Sequence, residues 1–379
     1  TEFIGYKNDT SESIVTKIVL NNKIVNKVEV EDEAILILNK TPFYAESGGQ
    51  VGDRGFLSNI NFNFEVHNTS KIFGNYFLHF GKVLKGNCVV DDIINASIDI
   101  DFRNLVRNNH SSTHLLHASL RKILGNHVTQ KGSLVNDEKL RFDFSQNDII
   151  TMEQISTIEI LVNDIIKQES DVKTEILDQE EAINNGAMAL FGEKYGEKVR
   201  VISMGKINNE IFSIELCGGT HVNNTKDIRK FKIINQSSVA SGIRRIEAVT
   251  NIGVDNFNKS EDLKKSENKI KIKSEIKKYI SLLENINPNK AINLYEDKDL
   301  DVQLKLIKKM YIDSKQNNDI LKYNQDIVTN KISEITFVYL LAKDYPSSHQ
   351  RKFIDDQKKL YKSSSVITLV SVGLSKVTI

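Results

Sequence analysis

An α+β protein built in several parts is what the amino-acid sequence predicts, and three observations predict it. Residues 1 to about 100 run in short alternating stretches such as "KIVLNNKIVNKVEVEDEAILILN", "NFNFEVHN" and "YFLHFGKVL", separated by Asn, Gly and Asp, the pattern of strands and tight turns. From Asn108 to about Gly125 the period turns helical, with Leu116, Leu120, Ile123 and Leu124 on one face. Beyond Val254 the chain becomes charged and helical in period, as in "NKSEDLKKSENKIKIKSEIKKYISLLENIN".

Taken in order, the first hundred residues suit a small β-barrel or sandwich. Asn108 or Asn109 can cap the helix that follows and Gly125 can end it. "LRFDF" and "IFSIEL" read as strands around a helix from about Thr151 to Glu169, so the middle of the chain is α+β. The charged helices continue past Pro288 in "DVQLKLIKKMYIDSKQNNDIL"; such a pair is ordinarily a solvated surface, while its lysine excess also suits contact with nucleic-acid phosphates. The last fifty residues read strand, helix, strand, too few for a complete α/β domain. The expected boundaries are 1–105 for the barrel, 106–254 for the α+β part, 255–325 for the helices, which suit a coiled coil, and 326–379 for a partial α/β domain. The chain opens on Thr1 and stops inside a β-branched run, so both ends are expected to be cuts in a longer chain.

Bulk properties exclude several classes. With 51 basic against 50 acidic residues the net charge is +1, which argues against a broadly basic nucleic-acid coat and leaves room only for local basic patches. Cys88 and Cys217 are the two cysteines, too few for a disulfide framework, which suits a reducing compartment. No run of eighteen apolar residues occurs, and "TEFIGYKNDT" has neither a basic nor an apolar leader region. The expectation is a soluble cytoplasmic protein with no membrane partner.

The residues that carry chemistry stand in two groups. "NNHSSTHLLH" places three histidines within eight residues. Residues four apart share a helix face, so His110 and His114 can aim ring nitrogens at one point, with His117 on that face a turn later. About a hundred residues on comes "SIELCGGTHV", where Phe212, Ile214 and Leu216 alternate with Ser213, Glu215 and Cys217, which puts Cys217 on a polar side. Gly218 and Gly219 then let the backbone turn so that His221 folds back toward the Cys217 sulfur. HxxxH with CxxxH makes a set of three histidines and one cysteine that suits Zn2+. Four protein ligands fit a closed structural site. Against that, "TPFYAESGGQVGDRG" carries the pair Gly48-Gly49, which lets backbone amides approach a ligand and also suits a plain turn. Both readings of the metal stand at this point.

The stretches "TPFYAESGGQVGDRG", "NNHSSTHLLHASLRKILGNHVTQKGSLV", "LRFDF", "GAMALFGEKYGEKVRV", "ELCGGTHV" and "GIRRIEAVT" resemble, in that order, the editing domain of alanyl-tRNA synthetase. The resemblance covers roughly residues 1 to 254, continues more weakly to Ile379, and includes an opening "FIGY" similar to the segment that precedes that domain. It implies that His110, His114, Cys217 and His221 bind zinc. It further implies that the reaction is hydrolysis of tRNA(Ala) wrongly charged with serine or glycine. Gln130 matches a glutamine of the editing pocket, and Thr41, Gly48, Gly49 and Gln50 match its glycine-rich wall. The full-length parent would attach alanine to tRNA(Ala) with ATP, through an aminoacylation core that has no counterpart in these residues. One departure is visible: "TKDIRKF" puts Lys226 and Arg229 where the family has glycines, so turns at positive φ become costly and this loop is expected to be reshaped.

The implied chemistry needs a positioned water and stabilisation of a developing oxyanion. Gln130 is the candidate to position water or ester, Cys217 a catalytic-site ligand, and Glu215 a candidate base or a salt-bridged strand carboxylate. A hydroxyl partner such as Thr41 or Thr113 would favour serine over alanine, because alanine leaves it unpaired. Arg229 to Lys232 and Arg244-Arg245 can meet acceptor-stem phosphates, and Arg244 or Arg245 can equally serve a buried ion pair. Two alternatives share these features: a free-standing trans-editing hydrolase of the AlaX type, and a zinc-stabilised tRNA-binding module without catalysis.

Overall fold

A computed structural model describes residues 1–188, 196–286, 299–323, 326–361, 364–373 and 377–379. The chain forms two compact units, Thr1–Lys259 and Ser260–Ile379. The first begins with a closed barrel of six strands, in the order Ile93–Ile98, Gly55–Ser58, Asn63–Ile72, Tyr76–Lys85, Glu33–Leu38, Thr10–Leu20 and back to Ile93–Ile98. Alternate residues of these strands point inward, and Val15, Ile18, Leu36, Leu57, Phe64, Val83 and Ile94 fill the interior. Closure removes the sheet edges that an open sheet of this length would expose. Asn21 and Asn22, at φ 50° and 61°, make the tight turn that folds the short strand Lys23–Val25 onto the barrel.

Helix α1 (Ile100–Leu124) leaves the last barrel strand, and it starts eight residues before the Asn108 boundary that the periodicity suggests. Asp99 is the real cap: its side chain accepts from Phe102 N at 3.0 Å. The first two turns carry Arg103 and Arg107 and so read as polar, but Arg103 is completely buried. It forms an ion pair with Asp53 and donates to the Gly5 and Pro42 carbonyls, both at 2.9 Å. These contacts tie the barrel loops to the helix, and every donor aimed inward finds an acceptor. From Asn108 to Leu120 every residue of α1 is buried, polar and apolar sides alike. Gly125 ends the helix, as its sequence position suggests.

Two sheets and a second helix enclose α1. The four-stranded antiparallel sheet runs Gln130–Val135, Leu140–Ser145, Ile243–Thr250, Phe231–Ala240, and its Phe142, Phe144, Ile246 and Ala248 share one core with Leu115, Leu116 and Leu120. Helix α2 (Met152–Ile166) is capped by a reciprocal Thr151/Gln154 box and buries Ile158, Val162 and Ile165 in that core. A three-stranded sheet, Lys173–Asp178, Lys198–Ile207 and Glu210–Leu216, brings "SIELC" alongside α1. Between its first two strands lies the short helix α3 (Gln179–Asn184). Residues 189–195, part of the quoted "GAMALFGEKYGEKVRV", lie outside the described residues.

In the loop where the resemblance has glycines, one non-glycine residue does take positive φ. Arg229 itself takes φ 62° after the single turn Thr225–Ile228, while Lys226 lies within that turn and needs no positive φ. With ψ −67° Arg229 lies outside the left-handed helical region, a strain of about 1–3 kcal/mol. Asn224 and Asp227 cap each other, and Thr225 N donates to Ser170 O at 2.9 Å.

Helix α4 (Ile252–Ile286) runs from the end of the first unit into the second, where Ile272, Ile276 and Leu283 pack with Ile307 of helix α5 (Leu300–Tyr323). The segment around Pro288 that joins them lies outside the described residues. The parallel strands Ile335–Lys343 and Ser365–Val372 are joined through helix α6 (Ser347–Leu360), the strand-helix-strand unit expected, with Val328–Ile332 and Val377–Thr378 added at the two edges. Among the described residues no helix is long and apolar enough to cross a membrane.

Candidate metal centre

Four side chains from α1 and the "CGGTH" turn converge. One ligand atom from each of His110, His114, Cys217 and His221 lies within 4.8 Å of the others. Cys217 Sγ is 3.5 Å from His110 Nε2 and 3.3 Å from His221 Nε2. A tetrahedral ion at ordinary zinc distances holds neighbouring donors about 3.3 to 3.6 Å apart, so these spacings match the edges of such a polyhedron. His114 supplies a second indication: its Nδ1 is buried without any hydrogen-bond partner. A buried nitrogen left this way costs about 1–3 kcal/mol unless something binds it. The donor set therefore fits a metal ion, and these four residues could hold one.

Electrostatics agree with that reading. Burial pushes His110 and His221 well below the ordinary imidazole range, and His114 is lowered for the same first cause; neighbouring imidazoles and Arg200 add to the effect. Three neutral imidazoles at neutral pH offer lone pairs rather than protons. Burial by itself would raise Glu215, yet the facing His114 and His117 hold it below the usual carboxylate range.

The surrounding contacts set ring orientation. Gln50 is wholly buried, and its Oε1 accepts from Thr220 N at 2.9 Å and lies 2.7 Å from His110 Nδ1. A carbonyl oxygen only accepts, so the His110 proton sits on Nδ1 and Nε2 faces the sulfur with its lone pair. Ser111 Oγ lies 3.1 Å from His221 Nδ1 and accepts from Val222 N. Arg200 donates to the Cys217 and Gly219 carbonyls at 2.9 and 2.8 Å, and Tyr6 OH donates to the Gly218 carbonyl at 2.6 Å. Gly219 must be glycine here, because a Cβ would collide with the His110 ring.

His117 does not join the cluster. Its Nδ1 lies 3.1 Å from Glu215 Oε1, while Glu215 Oε2 lies 3.7 Å from His114 Nε2. Glu215 thus bridges a ligand and its neighbour on the helix.

A cavity of about 210 Å3 opens on this cluster. Of the residues singled out in the sequence, His110, His114, Cys217, Glu215, Gly48, Thr113 and Gln130 line it. Gly49 packs on the Ser133 backbone and Gln50 lies behind His110, so both support the wall rather than form it. Thr41 is elsewhere: it is buried in the barrel, with Oγ1 2.8 Å from His79 Nε2 and accepting from Phe43 N. Arg245 pairs with Asp143 through two contacts of 2.6 and 2.8 Å, and Arg244 donates to the Asn147 carbonyl. Neither arginine lines the cavity. In the basic stretch, Lys230 pairs with Asp255 and Lys232 with Glu159, whereas Arg229 lines a separate cleft with Arg107 and Lys226.

Comparison with known proteins places this architecture. Residues 1–102 match the family described as tRNA synthetases class II (A), and residues 199–247 match the Threonyl and Alanyl tRNA synthetase second additional domain. An alanine-tRNA ligase of Vesicomyosocius okutanii is 41% identical over 381 residues, which covers 100% of this chain and 42% of that protein. The chain belongs to the alanyl-tRNA synthetase family. Alanine-tRNA ligases of Parvibaculum lavamentivorans and Haemophilus influenzae are 50% and 52% identical over 257 and 250 residues, covering 67% and 66% of this chain. The chain spans 29% and 28% of those two relatives.

Around the cluster, sequence reasoning missed Tyr6, Ser111, Arg200 and Thr220, and at the barrel junction Arg103. Their partners lie elsewhere in the chain: Arg200 and Cys217 are 17 positions apart, Tyr6 and Gly218 212. "FIGY" was visible as a resemblance, but nothing in it says what its tyrosine touches.

Proposed function

We propose that this chain carries out the editing reaction of the family, hydrolysis of the ester in tRNA(Ala) mischarged with serine or glycine, at a site where His110, His114, Cys217 and His221 hold zinc. The observation that carries this reading is the convergence of those four donors, three of which (His110, His114 and Cys217) line a cavity that Thr113 and Gln130 also line. A zinc ion there would supply Lewis-acid polarisation to an ester carbonyl or water.

The chain's own residues do the rest. Gln130, opposite the ligand cluster, offers both a donor and an acceptor to orient the attacking water or the ester. Thr113 donates its hydroxyl hydrogen to the Asn109 carbonyl at 2.9 Å, which leaves its oxygen to accept from the hydroxyl of a seryl group. Alanine would leave that acceptor unmet, a mismatch that the apolar size difference alone does not provide. Thr41 is too deep in the barrel to serve this way. Glu215 acts as a positioning residue through His114 and His117, since both its oxygens already face imidazoles.

The test is release of serine from Ser-tRNA(Ala), with Ala-tRNA(Ala) as the control and zinc content measured on the same samples. Selective seryl hydrolysis that disappears with the metal in Cys217→Ala is the expected result. A zinc-loaded chain that binds the tRNA and leaves both esters intact would refute the reading in favour of a binding module.

A further inference from the structure

The cavity wall carries two chemically different groups of residues. One is His110, His114 and Cys217; the other is an aromatic group, Phe3, Tyr6, Tyr44 and Phe77, with Lys71 also on the wall. We infer that this aromatic group, with Tyr6 as its platform, stacks the terminal nucleobase of the substrate, and that Lys71 meets the phosphate preceding that nucleoside. The inference rests on the proposed ester hydrolysis, because that ester sits on the sugar of the terminal nucleoside.

Tyr6 carries this inference because it is exposed and yet fixed. Its ring leaves 43% of the residue's surface open, unusual for an aromatic side chain with so many anchors. The Arg200 guanidinium lies over the ring, 4.2 Å from its centroid, the hydroxyl donates to the Gly218 carbonyl, and Phe3 stands at 78° to it at 4.9 Å. Phe3 is in turn stacked on Phe77 at 5.6 Å. A ring held this way loses little freedom when a flat ligand stacks against it, and every nucleobase has the π-face to do so. The hydroxyl anchor also fixes position: Gly218 follows the ligand Cys217 directly, so a base on Tyr6 brings its sugar toward the cluster. Lys71 is exposed on the same wall and has no ion-pair partner among the described residues, which leaves its charge for an anion.

The test uses the whole chain and the fact that it contains no tryptophan. Tyr6→Trp introduces a single tryptophan at the platform, excited selectively over the tyrosines. The probe is a non-hydrolysable amide, 3'-serylamino-3'-deoxyadenosine 5'-phosphate, compared with the same molecule lacking its base. Quenching by the adenine-bearing probe alone is expected. In kinetics with Ser-tRNA(Ala), Tyr6→Leu is expected to raise KM about 5- to 140-fold, the range for one lost base-aromatic stack, with kcat much less affected. Tyr6→Phe, which keeps the ring and loses the Gly218 contact, is expected to recover most of that loss. A Tyr6→Leu variant with normal zinc content and unchanged KM would overturn the inference. Saturating adenine probe without quenching in Tyr6→Trp would also overturn it. Quenching in a chain that hydrolyses nothing would instead leave the platform standing and remove the hydrolytic reading.

Discussion

Two buried histidine environments in the first unit look alike by burial and differ in every contact. His79, inside the barrel, sits in a closed relay: Phe43 N donates to Thr41 Oγ1, the Thr41 hydroxyl donates to His79 Nε2, and His79 Nδ1 donates to the Leu36 carbonyl. No polar atom of that imidazole is left over. In the cluster, His110 of α1 and His221 of the CGGTH turn each point one nitrogen at a protein partner and the other at the Cys217 sulfur, while His114 keeps a buried nitrogen with no hydrogen-bond partner. A buried imidazole that the protein satisfies by itself is structural, whereas a group of them left jointly short of one partner could hold a metal ion.

The sharpest break in this comparison is metal removal. Chelation should loosen α1 and leave the barrel protected, because a metal present at about a thousand times its dissociation constant contributes about 4 kcal/mol to the fold that binds it. Hydrogen exchange should then rise over residues 110–120 and stay level in Glu33–Leu38. Equal loss in both segments would mean that the cluster does not separate from the barrel as a metal-dependent element.

The next effect is on pH. Burial lowers His79 from 6.5 to about 4, so the unfolded chain binds a proton there that the folded one refuses. The stability this provides is complete above about pH 6.5 and is lost as pH falls toward 4, a total of about 3 kcal/mol. His79→Gln should flatten that part of the barrel's pH profile, read as exchange protection of Glu33–Leu38, without changing zinc content. A fall in zinc content would show that the two environments are coupled.

The smallest effect distinguishes ligand from support. Gln50→Ala removes the partner of His110 Nδ1 and of Thr220 N, and should weaken metal binding about 10- to 100-fold without removing a ligand. Competition with a chromophoric chelator measures this directly. Unchanged affinity would mean that the helix alone fixes the His110 ring.

Legibility in the sequence followed the range of the contacts. His110 and His114 are one helical turn apart, and Cys217 and His221 are joined by a glycine turn, so each half of the cluster could be read locally. Thr41 shows the opposite case. It stands a few residues before Gly48-Gly49 and matches the same motif, yet the short strand Lys40–Thr41, just after the barrel strand Glu33–Leu38, places its hydroxyl against His79. The early start of α1 was hidden because Arg103 and Arg107 break the apolar period, and only a buried carboxylate on another loop makes Arg103 an inward residue. Arg229 shows a related point: a residue for which positive φ is costly takes φ 62° after the turn Thr225–Ile228, a backbone path that local propensity does not favour.

By itself the sequence determined the strand-rich first hundred residues, the central helix, the two halves of the ligand set and the charged helices after Val254. These rest on period, capping and spacing, which act over a few residues. Tertiary structure decided that the two halves meet, that Gln50 rather than a nearer residue orients His110, that Glu215 faces two imidazoles, and that Tyr6 anchors on Gly218 beside the cluster. Such choices depend on which buried polar group finds its partner across a hundred or more positions, and only the packed chain brings those partners within reach.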